Sequence, residues 1–358
     1  MTRGGLPRLA ARLRAGSARI VAFGSSITHD GYYLEPLVPA LTARFPGADV
    51  DVLARALPGY MSYWAVHRAP GIAALEPDAV IVEFAVNDFC LRNPEGVARA
   101  VEGIVRRLRS TSPAPDILFV YFMSRLIEAL PHQEPVLAAW ERVAEHYGVP
   151  SIDCSRLAEE LVTTRRADWI ERWPGRSSWE ERERRVVLTR DLTHHTLAGG
   201  RVFGEHFARA VVELLADSAP ARNGQPVPLD AAHFADARAY FPQDLLTRGW
   251  SVRRLDDNVS SNLTIMYFRE LLVPDAIGAR LKLNFTGRHV AIWGHSSAAN
   301  VIAFDGQSAA FHLPDPRMAL PAAIYQANEN STHTLEFEVR DLPFEIGAID
   351  VLGSLEVL

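Results

Sequence analysis

Short apolar runs separated by amphipathic stretches pattern the first part of the chain. Arg19–Phe23, Asp49–Leu53, Ala79–Ala85, Ile117–Met123 and Pro150–Asp153 read as strands. Their near-continuous apolar character predicts a parallel sheet covered on both faces. Leu34–Phe45, Glu95–Leu108, Glu134–Tyr147 and Leu197–Leu215 carry apolar residues at three- and four-residue spacing and read as helices. Strand and helix alternate, which is the signature of an open α/β domain. The character changes at residues 218–230, where proline, glycine and small polar residues cluster without periodicity, as in a linker. Beyond it the long helical patterns stop. Trp250–Leu255, Ala279–Phe285, His289–Trp293, Val301–Phe304, His333–Val339 and Ile346–Val351 read as short strands, with turns such as Asp305-Gly306 between them. That pattern predicts an all-β sandwich, jelly-roll-like in kind. The expected division is an α/β domain over 1–217, a linker over 218–230 and a β domain over 231–358. A length of 358 residues accommodates two such domains.

Composition narrows the function class. Hydrophobic residues make up 48% and charged residues 22%, as in an ordinary globular protein. A formal net charge of -6 argues against nucleic acid as the main partner, because such binders usually show a basic footprint. Cys90 and Cys154 are the two cysteines, too few for a disulfide framework or a zinc motif, and read as free thiols. The amino-terminal stretch lacks an apolar core of signal-peptide length, and no apolar run reaches the ~18 residues a membrane helix needs. The expectation is a cytoplasmic protein with no membrane partner.

The polar loops at the strand ends carry the candidate chemistry. Gly24-Ser25-Ser26-Ile27-Thr28 follows the first strand, Leu57-Pro58-Gly59-Tyr60 the second, and Val86-Asn87-Asp88 the third. Asp191-Leu192-Thr193-His194 precedes the last helix. In a flavodoxin-like sheet of order 2-1-3-4-5 the first three loops converge on the crevice where the chain reverses direction. Acyl transfer needs a hydroxyl, a base to take its proton, a carboxylate to orient the base, and donors for the oxyanion. Ser26, His194 and Asp191 suit the first three roles. The backbone N–H groups of Ser26 and Gly59, with the Asn87 side chain, suit the fourth. Asp88 reads as a structural hydrogen-bonding residue, and Cys90 has no partner in sequence that would make it a nucleophile.

These blocks resemble those of the SGNH (GDSL-like) hydrolases. Gly-Ser-Ser-Ile-Thr is similar to the GDS(L/I) nucleophile block, Gly59 to the second-block glycine, and Phe84-Ala-Val-Asn-Asp88 to the G-x-N-D block with Ala85 where glycine is usual. Asp191-Leu-Thr-His194, followed by Gly199, resembles the D-x-x-H block. All four stand in family order, within roughly residues 18–217. Two positions depart from the pattern: Ser25 stands where aspartate is usual, and His195 where proline often follows the histidine. The resemblance implies a flavodoxin-like three-layer α/β/α fold, ester or acyl substrates, and no metal or organic cofactor.

The function expected from these readings is a serine esterase acting through an acyl-Ser26 intermediate on short acyl esters, acetyl on a carbohydrate in particular. An O-acyltransferase with the same triad, or a catalytically silent carbohydrate-binding or scaffold protein, are the alternatives. Trp169, Trp173 and Trp179 lie shortly before the D-x-x-H block. Either Trp173 and Trp179 line the substrate site as a platform or lid, or the segment is a helix packed on the domain, Trp169 and Trp173 having i, i+4 spacing. The β domain is a candidate carbohydrate-binding or homo-oligomerisation module.

Overall fold

In the computed structural model, residues 1–91, 93–125, 130–170, 185–216, 225–255, 268–297, 299–310, 321 and 323–358 are described. The chain forms two compact units. The first comprises Met1–Ala65 and Ala69–Ala235, the second Val66–Arg68 and Asp236–Leu358.

In the first unit α1 (Pro7–Arg14) precedes β1 (Ser17–Gly24), and short α2 (Ser26–Asp30) and α3 (Leu37–Arg44) lead to β2 (Asp49–Ala56). Then come α4 (Ser62–Ala65), α5 (Ala69–Ala73), β3 (Ala79–Glu83), α6 (Ala85–Asp88), α7 (Pro94–Arg109), β4 (Asp116–Tyr121), α8 (Leu130–Tyr147), β5 (Ser151–Asp153) and α9 (Cys154–Thr163). A two-stranded pair, β6 (Ala167–Asp168) and β7 (Val186–Val187), precedes α10 (Leu197–Ala216). The five strands β1 to β5 form a parallel sheet, as the apolar pattern predicts, in the flavodoxin-like order 2-1-3-4-5 that the family resemblance implies.

Strand β1 is buried on both faces, which is why its sequence runs apolar without alternation. Ile20 and Ala22 face a core built with Leu9 and Leu13 of α1, Leu37 and Leu41 of α3, and Phe203 and Phe207 of α10. Phe23 points the other way and meets Phe84 edge-on, with centroids 4.9 Å apart. Asn93 caps α7 by accepting the Gly96 N–H at 3.0 Å, with Pro94 in the first turn.

Residues 225–235 belong with this unit. The Glu102 carboxylate of α7 accepts the N–H groups of Leu229 and Asp230 (2.5 and 3.0 Å), while Asp230 pairs with Arg99 at 2.6 Å. Part of the proline-rich stretch therefore lies along α7.

The second unit is antiparallel and all-β. Its strands are β8 (Ala237–Tyr240), β9 (Trp250–Arg254), β10 (Glu270–Pro274), β11 (Arg280–Ser296), β12 (Val301–Phe304), β13 (Gln307–Ala310), β14 (Ala323–Glu338) and β15 (Phe344–Val357). Seven follow the order 13-12-14-11-15-10-9, and β8 pairs with β15.

The sequence pattern suggests two strands at 279–285 and 289–293; the structure has one long strand with an irregularity between Gly287 and His289. The extra residue flips the alternation. Leu281, Leu283 and Phe285 face the core before it, Val290 and Ile292 after it, and all five join one cluster. Arg68 belongs to this unit, its guanidinium 2.7 Å from the buried Asp350 carboxylate, whose other oxygen accepts Trp293 Nε1–H at 2.6 Å. No helix of the described residues is long and apolar enough to cross a membrane.

Candidate active site

The site grows from the carboxyl end of β1. Gly24 pairs with Ala56 of β2 on one side and Glu83 of β3 on the other, so the loops leaving all three strands begin at one level. Only glycine fits at position 24, since a Cβ there would stand 2.0 Å from Thr28 Oγ1. Ser25 is extended, and the chain then turns at once into α2, whose first residue is Ser26.

Leu57 N–H donates to the Gly24 carbonyl at 2.8 Å and fixes the second loop against this turn. Gly59 in that loop has φ 78°, a left-handed conformation that favours glycine. Asn87 on α6 ties the third loop to the second by donating Nδ2–H to the Tyr60 carbonyl at 2.9 Å. Its second amide hydrogen has no acceptor among the described residues. The N–H groups of Ser26 and Gly59 find no acceptor among the described residues.

The imidazole arrives from the segment before α10. Asp191 Oδ1 accepts the N–H groups of Thr193 (3.1 Å) and His194 (2.7 Å), a side-chain turn that brings the histidine ring back over the carboxylate. His194 Nδ1 lies 2.7 Å from Asp191 Oδ2, and His194 Nε2 lies 2.9 Å from Ser26 Oγ. The carboxylate assigns the ring proton to Nδ1, leaving Nε2 to accept from the serine hydroxyl. Burial pushes the Asp191 carboxyl up, but the two amide donors and the imidazole outweigh it and hold it below the usual range.

The turn carries strain. Leu192 has φ 72°, and it is held there by Arg125 N–H donating to its carbonyl at 2.7 Å and by Thr189 Oγ1 accepting its N–H at 3.2 Å. The Ser124 and Thr193 hydroxyls meet at 2.5 Å, so the loop after β4 and the histidine turn are joined twice.

The structure thus brings Ser26, His194 and Asp191 into one hydrogen-bonded series, with the Gly59 and Asn87 loops linked to one another beside it. His195 points elsewhere. It is buried between Phe122 and Phe203, and burial pushes its pKa down to about 3. Asp88 is buried as well, accepting Ser62 N–H at 2.7 Å and Trp140 Nε1–H at 2.9 Å. Trp169 packs partly buried against the sheet core under the Arg125 guanidinium. Trp173 and Trp179 lie outside the described residues. Cys90 is exposed and Cys154 buried.

Two features escaped the reading of the sequence. Glu83 at the end of β3 is a buried carboxylate against the Ser26 turn. It sits inside an apolar strand run, where a lone acid is the signal that something must pair with it. The second unit also holds a Ser–His–Asp series: Ser331 Oγ to His333 Nε2 at 2.7 Å, and His333 Nδ1 to Asp305 Oδ2 at 2.8 Å. There the serine and histidine share one strand, in ladder positions opposite Gly287 and Phe285, and the ring stacks on Phe285. No strand-to-helix turn presents Ser331, unlike Ser26.

A five-stranded parallel sheet of this order, with its polar loops gathered at the carboxyl ends, is the architecture of the SGNH-type hydrolases. The chain belongs to the GDSL-like lipase/acylhydrolase family, which it matches over residues 22–202, and is an enzyme of the carboxylic ester hydrolase class. Among solved structures it is similar to a two-domain esterase active on acetylated mannans, at 20% identity and a TM-score of 0.71, over 99% of this chain and 97% of that one. A two-domain esterase active on acetylated mannans, co-crystallised with mannopentaose, gives 21% identity and a TM-score of 0.69, over 98% and 95% of the two chains. The likeness is one of fold and extends through both units. A comparison with curated proteins returns no match.

Proposed function

We propose that this enzyme is a serine esterase that removes short acyl groups, acetyl foremost, from carbohydrate hydroxyls. The observation that carries the proposal is the hydrogen-bonded series Ser26–His194–Asp191 at the mouth of the parallel sheet. Nε2 takes the Ser26 proton as Oγ attacks the ester carbonyl, and Asp191 stabilises the imidazolium that forms. The tetrahedral oxyanion is met by the Ser26 and Gly59 N–H groups and the remaining Asn87 amide hydrogen. The imidazolium then gives its proton to the leaving alcohol. Water attacks the acyl-serine by the same route in reverse, with His194 again as base.

Two observations favour a sugar as the alcohol. The rim is polar, with Asp30 and Arg190 paired at 2.6 Å beside the histidine turn. A solved structure whose fold matches both units is that of an esterase active on acetylated mannans. The test is a panel of p-nitrophenyl esters of rising acyl length and of acetylated manno-oligosaccharides, run on wild type and Ser26→Ala. Activity concentrated on acetyl esters and lost in Ser26→Ala is the expected result. Turnover retained in Ser26→Ala would overturn the nucleophile assignment. Acetyl groups accumulating on an added sugar acceptor, with little free acetate, would replace hydrolysis by transfer.

A further inference from the structure

Glu83 is the last residue of β3, and its side chain is 1% exposed. Among the described residues, the side chains and backbone that hydrogen-bond this carboxylate all donate to it. Ser25 N–H reaches Oε2 at 3.0 Å, Ser25 Oγ reaches Oε2 at 3.0 Å and Oε1 at 3.3 Å, and Thr28 Oγ1 reaches Oε2 at 3.0 Å. The Glu83 carbonyl accepts Ser25 N–H as well, at 3.0 Å. The donors flank Ser26: one residue before it and two after. No cation is among the groups that act on this carboxylate in the described residues. An unpaired buried acid is expensive, so hydrogen bonding to the nucleophile turn is what holds it.

We infer that Glu83 is a positioning residue for the nucleophile: its ionised carboxylate clamps Ser25 and Thr28 and so aims Ser26 Oγ at His194. This rests on the assignment of Ser26 as nucleophile. The clamp acts through geometry. Ser26 Oγ must sit within hydrogen-bond reach of Nε2 and at attack distance from the ester, and a misplacement near 1 Å can cost about a hundredfold in rate.

The charge state matters because all these partners are donors. An ionised carboxylate accepts them all; a protonated one carries a hydrogen of its own that must find an acceptor among them. Burial raises the Glu83 pKa to about 7, against the lowering pull of the Ser25 and Thr28 bonds. Tyr33 is the other titratable group facing this cluster. Its hydroxyl meets Thr28 Oγ1 at 3.1 Å, and burial, with Glu83 beside it, pushes its pKa far up, so it stays neutral while Glu83 titrates. Cys154, beyond Tyr33, is raised in the same way by burial. Acid therefore weakens the clamp, because attack needs Glu83 deprotonated.

The experiment compares wild type, Glu83→Gln and Ser26→Ala by rate of labelling with a fluorophosphonate probe and by the pH profile of kcat/KM on p-nitrophenyl acetate. Wild type is labelled at Ser26 and Ser26→Ala is not; failure here would overturn the nucleophile assignment itself. In Glu83→Gln the labelling rate and kcat fall about ten- to a hundredfold. KM changes little, because the residue does not touch substrate. The acid limb of the wild-type profile is steeper than that of Glu83→Gln. Should Glu83→Gln fail to fold, Ser25→Ala and Thr28→Val remove two of the donors singly, and each should slow labelling of Ser26. Wild-type labelling rates and an unchanged acid limb in a folded Glu83→Gln, or unaffected rates in both donor variants, would overturn the clamp while leaving Ser26 as nucleophile.

Discussion

Protonation decides what Glu83 contributes to folding as well as to attack. Its pKa in the folded protein is raised from 4.5 to about 7, so its stabilising contribution is present in full below 4.5 and lost as pH rises through 7. The loss amounts to about 3 kcal/mol over that window. The clamp needs the ionised form, so stability is given up at the pH where the enzyme works, a trade typical of functional sites. Denaturant unfolding of the first unit should show the stability advantage of wild type over Glu83→Gln shrinking from pH 4.5 to pH 8; a constant difference would contradict the buried, unpaired placement. The two histidines separate as sharply. His195→Phe keeps the apolar packing between Phe122 and Phe203 and should retain most activity, whereas His194→Ala should lose it. Asn87→Ala should lower kcat by about a hundredfold or more with little change in KM, if its spare amide hydrogen serves the oxyanion.

Elements explain which of these residues the sequence could reveal. The ends of β1 and β3 were legible because a doubly covered parallel strand is apolar throughout and stops at its loop, whereas β2 lies at the sheet edge and is largely uncovered; Ser26, Gly59 and Asn87 were singled out together, by blocks that resemble the family's and stand in its order. Gly199 is legible for a different reason. A Cβ there would lie 2.0 Å from the Leu188 carbonyl, so glycine is what lets α10 pack against the segment leading to His194. Gly199→Ala should therefore push that segment away, lowering both stability and kcat; activity equal to wild type would show that the contact gives easily. Glu83 was hidden by the same logic that revealed its strand, because an apolar run draws the eye past one acid within it. Ser331 and His333 show the opposite failure of local pattern, since only their placement in a ladder distinguishes them from a nucleophile and its base. Ser331→Ala should leave ester hydrolysis unchanged.

At the scale of the molecule, the α/β class followed from strand and helix alternation and the sheet order from the flavodoxin-like fold that the family resemblance implies, while the β unit was legible in class but not in detail. Bulges let β11 run seventeen residues through what reads as two short strands. The short strands β8, β10 and β13 left too little pattern to find. Nor does local pattern reveal that Val66–Arg68 belong with the second unit, because that depends on a carboxylate 282 residues away. Asp350 accepts from both Arg68 and Trp293 in a fully buried setting. Asp350→Ala should cost about 3–5 kcal/mol in the unfolding of that unit. The account as a whole turns on whether ester chemistry passes through one hydroxyl. Wild-type protein mixed with excess p-nitrophenyl acetate, quenched in acid during turnover and digested for mass spectrometry, should carry one acetyl group on the peptide containing Ser26, absent from Ser26→Ala; an acetylated peptide elsewhere whose loss abolishes turnover, with Ser26 unmodified, would contradict it.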